Sequence, residues 1–373
     1  MIETCSLADL LMRGPRGRRL LLEYAIASEQ FHDPEYHEDS LSTGVFFASH
    51  LMDPGVGMSV QMFGDADDHV GAIAPEDVAQ RLASVPLADV TPGLLRECLA
   101  ESADSARYWQ AADGGDVLAA TDELDAPLRR VAEHIAASAY AAWWGEPAVE
   151  DSQWQVEWDG APPHAIMADP ITWLRMERDE MIEEELVASR ERPARVTADW
   201  GGAWWSCPPP ELPSTTRALF DGSPAGLWCV EDSLGWQKAD TRRLGMPAGP
   251  RICEVDSADT WADLCARFPI DVTALRRHDW YRTTGRDGAW VIPDWASVAD
   301  EYDAVHLQVQ AYLSAAGTVI PVDERTATVI AGWGPDQTFW FTPHVRFLDE
   351  TAHWTLDESD ERTRWVQQEH SRR

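Results

Sequence analysis

The chain changes texture near residue 195, and this limits what it can fold into more than any other feature. Up to that point it reads as helices joined by polar connections. From Val196 it reads as short tryptophan-rich strands interrupted by two helices. A switch of apolar period from 3.6 to 2 means two kinds of layer, which predicts an α+β fold with a helical N-terminal region. The 373 residues also exceed the roughly 250–300 at which single cores stop growing. We therefore expect a mostly helical domain over 1–150, a strand and a charged amphipathic connecting helix over 151–195, and an α+β domain over 196–373 ending in a polar tail.

Start and stop signals support helices at "GPRGRRLLLEYAIASEQ", "TPGLLRECLAESADSARYWQ" and "APLRRVAEHIAASAYAAWWG". In the first, Leu20, Leu21, Tyr24 and Ala25 share one side; in the second, Thr91 and Pro92 form a capped start. "PITWLRMERDEMIEEELVASRERPAR" predicts a longer helix with Leu174, Met181, Ile182 and Leu186 on one face. Strands are predicted at "TGVFFASHL", "GVGMSVQMFG" and "SQWQVEWDG", and later at "GAWWSC", "AGLWCVED", "RICEVDS", "DAVHLQVQAYLSA", "TATVIAGW" and "TFWFTP". Helices are predicted at "ADTWADLCARF" and "DWASVADEY". The C-terminal "ETAHWTLDESDERTRWVQQEHSRR" reads as a polar helix or a fraying end.

Acidic residues outnumber basic ones 64 to 30. That excess repels nucleic-acid phosphates and anionic membranes over most of the surface. The one dense basic run, Arg13 to Arg19, reads as a solvated helix start. Lys238 is the sole lysine, so Schiff-base chemistry would have to use it. Six scattered cysteines form no paired short spacing, which fits a reducing cytoplasm. The first apolar run is broken by Asp9, unlike a signal peptide, and no stretch approaches the roughly 18 apolar residues of a membrane span. These features predict a soluble cytoplasmic protein. The chain has no nucleophile elbow, phosphate-binding glycine loop or H-E-x-x-H pair.

Three segments gather reactive side chains. "EQFHDPEYHED" holds His32, Asp33, Glu35, His37, Glu38 and Asp39, all possible ligands for a divalent metal, but it reads as an exposed acidic loop. "RRHDWYRTTGRDG" offers His278 and Asp279 as an acid–base pair, Tyr281 as a stacking surface and Arg282 as an anion clamp, on what reads as a polar loop. "WWSCPPPELPSTTRALFDGSPAGLWCVEDSLGW" offers the hydroxyls of Ser206, Ser214, Thr215 and Thr216, the donors of Arg217, and the flat faces of Trp204, Trp205, Trp228 and Trp236. Cys207, followed by three prolines and without a nearby cation, reads as structural rather than nucleophilic.

In order, "PAGLWCVEDSLGW", "RICEVDSADTWADLCARFP", "IPDWASVADEYDAVHL" and "WGPDQTFWF" resemble the recurring segments of divergent ADP-ribosyltransferase-like domains. The resemblance covers roughly residues 196–345. It implies a bent, split antiparallel sheet gripping NAD in a cleft. It also implies an Arg or His on the first strand, a Ser/Thr strand supporting the pocket, aromatics about the nicotinamide, and a late glutamate. Here the first strand has Trp204, Trp205 and Ser206 unless Arg195 substitutes, and Ser214 to Thr216 fit the Ser/Thr strand. The late strand places His306, Gln308 and Gln310 on one side if regular, with no glutamate. Glu231 or Asp232 would then supply the charge, or transfer chemistry has been lost. The resemblance implies NAD as cofactor, bound by Ser214, Thr215 and Arg217 with Trp228 or Tyr281 stacking, and His278, His306 and Glu231 as the reactive set. A non-catalytic module binding a protein partner, or a small-metabolite enzyme using His278–Asp279, stands as the alternative.

Overall fold

A computed structural model defines the fold and describes residues 5–35, 37–54, 73–160, 165–233, 235–357 and 364–368. The first part is helical: α1 (Leu7–Arg13), α2 (Pro15–His32), α3 (Leu41–Met52), α4 (Pro75–Ser84), α5 (Pro92–Asp104), α6 (Gly114–Ala119) and α7 (Asp125–Ala136). Its starts are set by local chemistry. Ser6, Ser40, Thr91 and Asp113 each accept a backbone N–H in the first turn of the helix they cap. Pro15, Pro75 and Pro92 occupy first positions, where a missing N–H costs nothing. The predicted face of α2, Leu20, Leu21, Tyr24 and Ala25, is fully buried.

"TGVFFASHL" is helix, not strand. It lies in α3, where the Ser40 hydroxyl accepts from the Thr43 N–H at 3.1 Å. The cap and tertiary packing override the β propensity of its valine and phenylalanines. The predicted strand "GVGMSVQMFG" lies outside the described residues.

β1 (Gln153–Trp158) follows, then α8 (Pro170–Glu191). Along β1 the alternation turns Gln153 and Gln155 into the protein and leaves Trp154 half-buried on the other face. α8 departs from its expected packing: Leu174 is buried, but Ile182 and Leu186 are exposed.

The remainder comprises β2 (Ser214–Thr215), β3 (Lys238–Gly245), β4 (Ile252–Val255), α9 (Ala258–Arg267), β5 (Pro269–Asp271), α10 (Thr273–Thr284), β6 (Ala289–Pro293), α11 (Trp295–Glu301), β7 (Ala304–Leu307), α12 (Val309–Ala315), β8 (Ile320–Pro321), β9 (Thr326–Thr328), β10 (Thr338–Trp340), β11 (Arg346–Asp357) and β12 (Arg364–Gln368). With β1 these strands make three open sheets, in the orders β1-β3-β11-β12, β2-β10-β7-β4 and β5-β6-β9-β8. Most pairs are antiparallel; β4–β7 and β6–β9 are parallel. An isolated antiparallel bridge, Trp154 to Thr216, joins the first sheet to the second. The protein is thus α+β, with a helical first part and a strand-rich second.

Several strands expected here are shorter or absent. "GAWWSC" is irregular chain tied by the Ser206 N–H to the Ala331 carbonyl at 2.8 Å, and "AGLWCVED" begins with a single 3-10 turn, Ala225–Leu227. "TATVIAGW" is strand only over β9. "DAVHLQVQAYLSA" is β7 and then α12, with Gln308 capping the helix, so His306, Gln308 and Gln310 do not alternate along one strand. "RRHDWYRTT" is α10 rather than loop, ended by Gly285 at φ +72°. The described residues of the tail are strand rather than helix: β11 and β12 pair over residues 353–357 and 364–368.

One apolar core runs from the N-terminal helices into the strand-rich part. Trp261, Trp295 and Trp333 meet within it at centroid separations of 5.8–6.1 Å. Burying large aromatic rings supplies much of the driving force of such a core. α12 packs against both α1 and α2, and Tyr108 sits against Gly317 just after it. Gly317 adopts φ +74°, and an added Cβ would strike the Tyr108 ring. Gly317→Ala therefore carries both backbone and steric strain, and is expected to cost about 2–4 kcal/mol in chemical denaturation.

Candidate functional site

The bridge between β1 and β2 creates the floor and one wall of a cleft of about 230 Å³. Trp154, Trp158 and Trp204 supply indole faces, Ser214, Thr215 and Thr216 the floor, and Glu231, Gly332, Gly334 and Gln337 the far side. Most of these polar groups are already engaged. The Thr215 hydroxyl donates to Gln153 Oε1 at 2.5 Å and accepts from the Trp340 indole at 2.8 Å. The Thr216 hydroxyl accepts from the Gly226 N–H at 2.8 Å. Gln337 Oε1 accepts from the Gly334 N–H. Ser214 is half-buried in the floor.

Glu231 is the carboxyl side chain that lines this cleft. Its Oε2 accepts from the Gly332 N–H at 2.7 Å, while its Oε1 is shut off from solvent. Burial disfavours its charge and pushes its pKa up to about 8, against the opposing pull of the Gly332 N–H and the Tyr312 hydroxyl. A carboxyl group poised near neutrality is suited to giving or taking a proton.

Beside the cleft lies a buried chain of alternating charges. His306 on β7 contacts Glu254 on β4 through Nδ1 at 2.7 Å and Asp336 through Nε2 at 3.4 Å. Asp336 accepts from Arg217 Nε at 2.7 Å and from the Arg217 backbone N–H at 2.8 Å. Arg217 then reaches Glu146 at 3.1 Å and the Pro147 carbonyl at 3.0 Å. Asp336 is held at φ +65°, its N–H donating to the Leu307 carbonyl. Burial alone would lower the pKa of His306. The carboxylates of Asp336 and Glu254 reverse that and hold it up at about 9. Burial would likewise raise Glu254, and the His306 imidazolium keeps it below its usual range. Gln308, from the cap of α12, donates to Glu254 at 3.1 Å.

The eight expected site residues thus separate into groups. Ser214, Thr215 and Glu231 line the cleft, and Arg217 and His306 belong to the adjoining charge chain. In that chain His306 is an imidazolium at neutral pH, and the donors of Arg217 are occupied. Trp228 lies outside the lining, with the Arg96 guanidinium 3.6 Å from its ring. His278 and Tyr281 lie on α10, away from the cleft. His278 is buried. Its pKa is lowered by burial and then by Arg277, Arg282 and Arg192, with the Pro193 carbonyl pulling the other way. Its neighbour Asp279 is tied to Arg282 and to the Gly202 N–H. Burial also holds up the thiol of Cys207, leaving little nucleophilic thiolate. Among the described residues no group of three or more His, Cys, Asp or Glu is placed to hold a metal ion, and no helix is long and apolar enough to cross a membrane.

Sequence reasoning missed Glu254, Asp336, Trp154 and Trp158. The signals present were an acid inside the apolar strand "RICEV" and the turn "WGPDQ".

Two outcomes follow from the charge chain. Asp336→Asn removes the carboxylate that Arg217 and His306 share, leaving each only its outer partner, Glu146 or Glu254, and is expected to destabilise the protein by about 3–5 kcal/mol in urea unfolding. The raised pKa of His306 means that its contribution to stability is complete below about pH 6.5 and is lost as pH rises through about 9. His306→Gln is expected to remove that alkaline loss, leaving the loss due to Glu231, which begins near pH 4.5 and runs through about 8. Stability measured by denaturation at a series of pH values checks both.

No family model matches the chain, and comparison with curated proteins and with solved structures found no match for it.

Proposed function

We propose that the cleft binds the nicotinamide end of NAD and that the protein cleaves NAD or transfers its ADP-ribosyl group. The observation that carries this reading is that Ser214, three indoles and Glu231 border one cleft. The indoles suit a flat cationic ring. The ionised form of Glu231 suits the positive charge that develops on the ribose as the bond to nicotinamide breaks and water or another nucleophile takes its place.

This reading fixes the sign of a proton linkage. A cationic ring beside Glu231 favours the carboxylate, so binding expels a proton. Affinity for NAD then rises with pH up to about 8 and levels off above it. Isothermal titration of NAD from pH 6 to 9 is expected to show that rise, with proton release below pH 8. Glu231→Gln is expected to flatten it and to lower nicotinamide release by about 100-fold or more. Absence of binding at millimolar NAD across this range overturns the proposal.

A second reading, a non-catalytic interaction protein, is favoured by α8. Met176, Ile182, Leu186 and Val187 are 65, 44, 52 and 43 % exposed along one broad side of that helix. Loss of a cellular partner on Ile182→Glu/Leu186→Glu, with NAD inert, would support it.

A further inference from the structure

Across the wall from the cleft is a second and larger cavity, of about 430 Å³, between α5, the 3-10 turn Ala139–Gly145 and the segment 217–229. Cys229 borders both spaces. Leu95 and Leu99 of α5 form one side, and Trp143, Trp144 and Phe220 present aromatic surface on the other. We infer that this cavity is a separate ligand site for an uncharged, two-ring aromatic molecule carrying a hydrogen-bond donor.

Size comes first. An apolar void of about 150 Å³ takes up a single benzene ring, so a cavity nearly three times as large has room for two fused rings and a substituent. Its walls are apolar and aromatic with a few polar groups, the composition of small-molecule sites rather than of hydrated grooves.

Charge settles the ligand class. Two guanidiniums border the space, but neither is free. Arg217 is held by Asp336 and Glu146. Arg96 is paired with Asp221 while its guanidinium lies 3.6 Å from the Trp228 ring and 5.1 Å from the Phe220 ring. An anion would find each cation already neutralised and would meet the carboxylate of Glu146 at the rim. A cation would have to shed its water in a largely apolar space. An uncharged body avoids both costs.

The polar groups fix the ligand's one handle. Glu146, whose side chain is 56 % exposed, and the Ser152 hydroxyl both offer acceptor oxygens. The matching group on the ligand is an N–H or O–H.

Indole and 2-naphthol are probes of this class, and 2-naphthoate keeps the rings while adding a negative charge. Isothermal titration and saturation-transfer NMR at pH 7 are expected to show saturable one-to-one binding of 2-naphthol with a dissociation constant below about 1 mM, and binding of 2-naphthoate at least about tenfold weaker. Ala142→Trp and Val149→Trp put an indole at partly exposed rim positions. Each is expected to weaken the probe by about tenfold or more without changing the melting temperature. Glu231→Gln is expected to leave the probe's affinity unchanged, which separates this site from the cleft. The inference is overturned by absence of saturable binding, by naphthoate binding as tightly as naphthol, by binding that survives both rim variants, or by binding lost on Glu231→Gln.

Discussion

The contact between Asp336 and the pair Arg217–His306 sets the terms for the whole second half of the protein. A single buried carboxylate compensates a guanidinium on one side and an imidazolium on the other. Buried charges add little net stability when complete, but they are intolerant of a missing member. Their value here is geometric. Arg217 lies two residues past β2, His306 lies on β7, and Asp336 is in the turn before β10. These three strands share one sheet, so satisfying the charges fixes that sheet's register and the position of the Ser/Thr floor. Glu254 extends the constraint to the parallel neighbour β4.

The same constraint assigns roles. A histidine clamped between two carboxylates is a poor base, because its proton is held to well above neutrality. A glutamate placed against backbone N–H and apolar wall has the opposite problem and resists ionising. Two groups that look equally reactive by residue type are driven apart by environment, one toward its charged form and one toward its neutral form.

The sequence made α2, α5 and α7 of the first part legible through apolar period and local start signals, as in Pro15 or Thr91–Pro92. It also made β1, β4, α9 and α11 legible by period. It failed where a short element depends on distant partners. β7 and α12 form one apolar run, and only the backbone bond from Gln308 to Val255 marks where strand gives way to helix. α3 looked like strand because its interior is aromatic and β-branched, and Ser40 outweighed that. Ser214 and Thr215, picked out by residue type, and Glu231, picked out by the resemblance, line the same cleft. Asp336 and Glu254 were not picked out, because their importance comes from charge pairings with Arg217 and His306 across 30 to 119 residues of chain. His278 misled for the converse reason: a reactive residue type on α10 turns inward and is buried near Arg277, Arg282 and Arg192.

Lys238 opens β3 at an exposed position, one strand across from Trp158 at the mouth of the cleft. Every other basic side chain apart from histidine is a guanidinium, so amine-directed acylating reagents meet one side chain in the whole protein. A fluorophore installed there would report from beside the indole-lined opening, with no engineered residue needed.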